Sequence, residues 1–470
     1  MQTYGHFING QWILSGEVIP VINKYTNENY AMIHEADGET VAKAIEVAKK
    51  TIERVELTAT ERYEIIMNAS KIIEQRKSEL ANILVIEAGK SKKDALMEIE
   101  RGIQTLIASG EEAKKLAGHG VALPNEHSKM AFTVRVPVGV IVAITPFNFP
   151  FNLTVHKIGP ALAAGNAVVL KPAEVTPIIA CKLAEIFKEA GLPDGFLNLV
   201  NGRGSIVGDY LLENPNVGMY TFTGSPKVGQ YIKSKSGIRK VTLELGNNSP
   251  NIVHEDVADI EKAVNLCVTR GFSNAGQACI SVQRIYVHEN IYERFVELAV
   301  QQVQQLQLCS AENADADIGP VISEREAMRI ESWIDEAKTQ GAKVAIGGSR
   351  RGNFVEPTLL IDVDDTMKVV CEEVFGPVIS IQKYASFSEA IERANNTTMG
   401  LQVGVFTSNI RNIMYSTKKL QFGGVIINNV STYREDLMPY GGVKNSGVGK
   451  EGPAYAIQEM SEEKLIVLDY

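Results

Sequence analysis

The 470-residue chain has no long apolar run. Its longest, around Val136–Ile144, covers about nine residues and holds Pro137 and Gly139, whereas a membrane-spanning helix takes roughly 20. Met1–Phe7 lacks a basic stretch leading into an apolar one, so no secretory signal is expected. Cysteine is scarce and odd in number: five residues, with the closest two, Cys267 and Cys279, twelve apart. That spacing excludes a CxxC zinc site, the count argues against a disulfide framework, and no metal site is expected. An excess of basic charge is missing too. Lys and Arg total 47 against 56 Asp and Glu, a net −9, the reverse of the basic face that nucleic-acid binding needs. The expectation is a cytoplasmic protein of several domains, since one domain takes roughly 100–200 residues. Neither nucleic acid nor membrane is expected as a partner.

What is present is strong periodicity. Residues 39–116 repeat apolar side chains at helical spacing, as in Ala42, Ile45, Ala48 and Ile52, then Tyr63, Ile66, Met67, Ala69 and Ile72. Between Gly118 and Val136 the pattern turns irregular, and the alternation of Phe132, Val134 and Val136 predicts a hairpin arm. Short apolar runs at 138–144, 167–170, 197–200, 218–222 and 240–244 then alternate with helical stretches near 152–163, 177–191, 204–213 and 226–235. A second series has strands at 251–253, 284–287, 344–346 and 378–382, helices near 259–275, 290–306, 323–340 and 387–395, and a last apolar run at 465–468. Such alternation predicts parallel sheets with right-handed crossovers and helices on both faces. The reading is two α/β domains in series, divided near Gly246.

Ligands bind beyond the carboxyl ends of parallel strands, so the strand ends are where chemistry is sought. Gly202–Gly208 spells GxGxxxG between a strand and a helix, one residue longer than the dinucleotide fingerprint; it reads equally as an ordinary turn. In Phe222-Thr223-Gly224-Ser225-Pro226, Gly224 permits close backbone approach, and the helix start offers free N–H groups to a pyrophosphate. Cys279 lies among small and polar residues rather than in an apolar stripe, which leaves room for a substrate. A working thiol needs a base or a cationic setting. No histidine is near in sequence, but Glu244 closes an apolar strand, where an unused carboxylate is costly.

Seven motifs, in order, now resemble those of the NAD(P)-dependent aldehyde dehydrogenase superfamily: Pro146–Pro150, Leu170–Glu174, Phe222–Ser225, Leu243–Gly246, Gly276–Cys279, Glu372–Pro377 and Pro439–Lys444. The resemblance runs from Phe7 to the last strand. It implies two Rossmann-like domains with parallel sheets, one for the cofactor (1–117 and 137–246) and one catalytic (247–450). It also implies a small β arm (118–136 and 451–470) through which the family forms homodimers or homotetramers. Carried over by position, Cys279 is the nucleophile and Asn148 holds the oxyanion with the Cys279 N–H. Glu244 activates the hydrolytic water, and Lys157 matches a proposed proton relay. The product is the carboxylic acid, reached through a thiohemiacetal and a thioester. For the cofactor, Lys171 and Glu174 match adenosine-ribose contacts, Ser225 a pyrophosphate contact, and Glu373 and Phe375 the nicotinamide ribose and ring. Thr145, Pro146, Gly204, Phe222, Gly224, Gly229, Leu245 and Gly246 complete the expected set. Glu174 favours NAD, because a carboxylate accepts ribose hydroxyls and repels a 2′-phosphate.

Substrate choice falls, by the same resemblance, to Phe149, Leu153, His156, Ala278, Ile280 and Arg434. The matches to His156 and Arg434 are usually aromatic in branches that oxidise apolar aldehydes. A buried Arg needs an anion or several acceptors, supplied by the adjacent Glu435 and Asp436 or by the substrate. A small hydroxylated or anionic aldehyde is therefore expected; the alternative is an apolar or aromatic aldehyde with Arg434 structural. Arg101 aligns with an anion-binding position in some relatives, or else pairs with Glu98 or Glu100. Ser431–Tyr440, His156-Lys157 and Leu245–Asn248 are similar to the lactaldehyde and phosphonoacetaldehyde dehydrogenase branch, although Ala278 and Phe149 speak against a doubly charged substrate. A non-catalytic scaffold of the same fold would have lost Cys279 or Glu244, and both are present.

Overall fold

Val140–Ile144, Ala167–Lys171, Met219–Thr223 and Lys240–Glu244 are almost wholly buried, which explains their continuous apolar sequences. A computed structural model describes residues 1–310 and 313–470 and places these strands side by side in an eight-stranded sheet. Its order is Gly447–Val448, Lys240–Glu244, Met219–Thr223, Val140–Ile144, Ala167–Lys171, Leu197–Leu199, His6–Ile8 and Gln11–Ile13. The central five strands are parallel, and the chain runs outward from Val140–Ile144 first to one side and then to the other. That reversal creates a crevice at the carboxyl ends of the strands. A second, seven-stranded sheet runs Lys343–Ile346, Thr358–Ile361, Val378–Tyr384, Arg284–His288, Pro250–Val253, Gln402–Phe406 and Gly424–Ile427, with only the first strand antiparallel.

The early helices are Gly38–Arg54, Ala59–Gln75, Lys77–Ala88 and Lys92–Ala113. Thr58 starts the second with a reciprocal capping box to Glu61, and Ser91 caps the fourth at the Asp94 N–H. A three-stranded sheet pairs Ser461–Asp469 along the whole of Lys129–Pro137, with Gly120–Val121 on the far side. No helix among the described residues is long and apolar enough to cross a membrane.

The expected boundaries need correction near the carboxyl end. Gly447–Val448, expected in the catalytic unit, pairs antiparallel with Leu243–Glu244 in the first sheet. The helix Pro453–Glu459 and Met460, expected in the arm, bury Ile457 and Met460 in the first domain's core. Apolar side chains near the carboxyl terminus thus find cover on the first domain, and the arm strand begins only at Ser461. The amino terminus also holds more strand than its pattern predicts. Val18–Ile22 pairs with Asn29–His34 although Pro20 interrupts it, and Pro20 is tolerated because this strand is at a sheet edge.

Candidate active site

Strand register explains why separated motifs meet. Ile144 pairs with Lys171, Phe222 with Ile144, and Thr223 with Glu244. The segments leaving those strand ends therefore line one wall of a cavity of about 870 Å³, and Ala278–Ile280, Glu373, Phe375, Arg434 and Tyr440 line the other. Of the predicted site residues, Lys157, His156 and Gly229 do not border it; all the others do.

One end of the cavity is glycine and backbone. A Cβ on Gly224 would strike the Phe222 ring at 2.4 Å, and one on Gly246 the Glu373 carboxylate at 2.3 Å. A Cβ on Gly229 would meet Leu245 at 2.4 Å, so this glycine seats its helix against the wall. Helices Gly204–Glu213 and Pro226–Lys235 both begin at the cavity, and a helix start is the electropositive end that suits a phosphate. The Ser225 hydroxyl accepts from the Val228 N–H (3.4 Å). Lys171 is buried, which pulls its amine below the ordinary value; its Nζ donates to Pro172 O (3.0 Å) and lies 3.5 Å from Glu174 Oε2. Glu373 accepts the Asn247 N–H (2.9 Å), and burial raises its carboxyl to about 7. Phe375, held at φ 49°, meets the Phe147 ring edge-on at 5.8 Å. Bare backbone, two helix starts and a half-exposed Glu174 fit a dinucleotide.

Cys279 lies at the middle, on a loop that carries backbone strain. Asn274, Ala275 and Gly276 have φ of 51°, 54° and 70°. A Cβ on Gly276 would meet Gly376 O at 2.1 Å, so only glycine allows that approach. Strained non-glycine residues of this kind persist where surrounding contacts over-determine them. Here the Asn274 N–H donates to Asp94 (3.1 Å), its amide donates to Asn148 O (3.1 Å) and Gln277 O (3.2 Å), and its Oδ1 accepts from Lys90 (3.0 Å). Lys90 is itself fully buried, 3.1 Å from Glu98 and 3.9 Å above the Phe149 ring. Asn148 Nδ2 donates to Gln277 O (3.0 Å), which fixes the amide beside the Cys279 loop. Burial pushes the Cys279 thiol up to about 12, against the influence of Tyr440 and Arg434. Glu244 is buried with both carboxyl oxygens lacking any partner, and burial, then Glu451, drives its pKa well up. Such a group is a candidate base.

The far end is a lattice of ion pairs. Arg434 Nη2 donates to Glu451 Oε2 (3.1 Å), its Nε is 3.8 Å from Asp436, and Nε has no hydrogen-bond partner. Lys157 Nζ donates to the other Glu451 oxygen (2.9 Å). Asp436 accepts a fork from Arg101 (2.8 and 2.8 Å) and has His156 Nε2 at 2.8 Å. Burial, then Arg434, lowers the His156 pKa, so that ring is neutral near pH 7. His156 and Lys157 thus stand behind the cavity wall. Arg101 pairs with neither expected glutamate: Glu98 is taken by Lys90 and Glu100 by Lys77. Glu435 is exposed, and Glu451 fills the place expected of it beside Arg434.

A family model described as "Aldehyde dehydrogenase family" matches residues 12–466. The chain belongs to the aldehyde dehydrogenase family. It is 51% identical over 472 aligned positions to a 3-sulfolactaldehyde dehydrogenase of Priestia aryabhattai, covering 100% of this chain and 98% of that one. It is 41% identical to a lactaldehyde dehydrogenase of Methanococcus maripaludis, covering 98% and 99%. The crystal structure of glyceraldehyde-3-phosphate dehydrogenase GapN from Methanocaldococcus jannaschii, complexed with NADP, superposes with a TM-score of 0.94 at 40% identity, covering 97% and 100%.

For an aldehyde dehydrogenase, two side chains stand out that the motif reading left without a role. Tyr440 belongs to a quoted motif, yet nothing in sequence announces that its hydroxyl reaches Cys279 Sγ at 3.0 Å. Glu451 is a lone acid in Gly449-Lys450-Glu451-Gly452, and its only sequence signal is the pair of flanking glycines, both at positive φ.

Proposed function

We propose that this aldehyde dehydrogenase oxidises a small hydroxylated or anionic aldehyde, of the lactaldehyde or sulfolactaldehyde kind, to its carboxylic acid with NAD. The observation that carries this is an unused donor. Arg434 and Lys157 share Glu451, and Arg101 takes Asp436. Arg434 lines the cavity, and its buried Nε has no hydrogen-bond partner. A buried donor without an acceptor is costly, and a hydroxyl or anionic oxygen of the substrate supplies one. The relatives' names point the same way, since both name a 2-hydroxyaldehyde and one adds a sulfonate.

In this reading Cys279 Sγ attacks the aldehyde carbon. The Asn148 amide and the Cys279 N–H receive the oxyanion. The nicotinamide cofactor, when bound by Lys171, Glu174, Ser225, Glu373 and Phe375, supplies the two-electron acceptor. Glu244 then takes a proton from the water that cleaves the Cys279 thioester. Lys157 holds Glu451, which in turn holds Arg434. Glu174 favours NAD over NADP by repelling a 2′-phosphate. Assembly as a homodimer or homotetramer is supported by the free edge of Ser461–Asp469, which exposes Leu465, Val467 and Leu468.

The test is NADH formation from lactaldehyde, glycolaldehyde, sulfolactaldehyde, succinic semialdehyde, propanal and benzaldehyde, with wild type and Arg434→Leu, using NAD and NADP. Hydroxylated or anionic aldehydes should lead, and Arg434→Leu should cost them about one to two powers of ten in kcat/KM while sparing propanal. A second reading has its own support: Arg434 already holds Glu451 and stacks on Tyr440 at 3.7 Å. If propanal leads and the variant is selectively silent, Arg434 is structural.

A further inference from the structure

Tyr440 is buried, and its hydroxyl lies 3.0 Å from Cys279 Sγ. The guanidinium of Arg434 covers the ring at 3.7 Å from its centroid. Glu244, the other acid–base group at the cavity, makes no hydrogen bond through either oxygen. The phenol, not the carboxyl, is therefore the group in contact with the sulfur. We propose that Tyr440 is the hydrogen-bond donor that holds the Cys279 thiolate and aims it into the cavity, with Arg434 stacked on its ring to strengthen the donor. The proposal rests on Cys279 being the nucleophile.

The chemistry of the pair favours this assignment. A phenol is ordinarily a weaker acid than a thiol and burial raises both, so Oη keeps its proton when Sγ loses one. The bond then runs from Oη–H to S⁻, and the donor never competes for the thiol proton. Hydrogen bonds to an ionised partner are roughly twice as strong as neutral ones. A cation over the aromatic face draws electron density from the ring and makes the O–H a better donor. The stacking also couples the substrate end of the cavity to the nucleophile, because the side chain that lines one contacts the side chain that holds the other. A phenylalanine here would keep the ring and the stacking and remove only the donor.

The experiment is iodoacetamide alkylation of Cys279 in the full-length enzyme from about pH 6 to 10, without aldehyde, for wild type and Tyr440→Phe. Sγ displaces iodide and the thiol proton goes to buffer. The Cys279 peptide is followed by mass spectrometry, because Cys371 is the more exposed thiol and its alkylation must be counted separately. Across that range the variant should react roughly tenfold more slowly at each pH, the equivalent of about one pH unit in the acidity of the thiol. Aldehyde KM should stay within about twofold while acylation slows, as expected when ground-state binding is kept and an interaction made only in the reacting state is lost. Superimposable pH profiles would overturn the proposal. So would a loss confined to KM for hydroxylated aldehydes, which would give the hydroxyl to the substrate. Cys279→Ser separates the underlying reading: if it retains dehydrogenase activity, the nucleophile assignment fails, whatever Tyr440→Phe does to alkylation.

Discussion

At the end of the cavity proposed for the dinucleotide, Lys171, Gly224, Ser225 and Gly246 all sit within two residues of a strand terminus. At the acyl end, Arg101 comes from an early helix, Lys157 from the helix after the first central strand, and Arg434, Asp436 and Glu451 from late loops. The first end is positioned by sheet register and backbone, which any sequence of that topology reproduces. The second is positioned by side chains that hold one another across 294 and 335 residues of chain. In the proposed reading, cofactor chemistry sits where the backbone dictates geometry. Selectivity sits where a few charged side chains do, and those are open to change without moving the sheet.

The largest effect expected from this contrast is at Glu244, which belongs to the backbone-set half although it faces the other. Glu244→Gln should lower turnover by about 10²–10⁴ and leave a full pre-steady-state burst of NADH, because only thioester hydrolysis is lost. Wild-type turnover should rise with pH as the raised Glu244 carboxyl ionises, and that limb should vanish in the variant. A variant that hydrolyses at the normal rate would sink the assignment. Asn148→Ala should cost about 10²–10³, in acylation this time.

Glu451→Gln is the sharper probe of the charged half. It leaves Arg434 and Lys157 buried against a neutral amide, and breaking a buried ion pair from one side typically costs about 3–5 kcal/mol. Urea unfolding at neutral pH measures it. Burial alone would raise the Glu451 carboxyl, but Lys157, then His156 and Arg434, bring it from the ordinary 4.5 down to about 2. A carboxyl depressed in the folded state contributes stability that is full above its ordinary pKa and lost as pH falls through the folded one. The gap between wild type and variant should therefore close between about pH 4.5 and 2. A gap constant with pH would mean that Glu451 contributes by shape and not by charge.

The same contrast decides what could be read in the sequence. Val140–Ile144 is legible because a strand buried on both faces reads as unbroken apolar residues. Glu244 is legible because an acid ending such a strand is conspicuous. The antiparallel strand Gly447–Val448 is only two residues long, too short for any period to register. The Arg101–Asp436 fork gave no local signal, since each residue alone reads as a solvated charge and only the fold brings them together. Tyr440 was visible as a motif member, but its hydroxyl acquires meaning only beside Cys279.

The smallest predicted effect tests the backbone half on its own terms. Gly246 needs no left-handed φ, and what excludes a side chain is the Glu373 carboxylate, 2.3 Å from where a Cβ would stand. That obstacle is the end of a flexible side chain, so Gly246→Ala should displace Glu373 at the low end of overpacking costs, about 1 kcal/mol. Weakening of NAD binding by roughly fivefold should follow, read from quenching of the Trp12 and Trp333 fluorescence. Aldehyde selectivity should be untouched, because the carboxylate that moves belongs to the dinucleotide end. A change in the ranking of lactaldehyde against propanal would mean that the two ends of the cavity are not separately built.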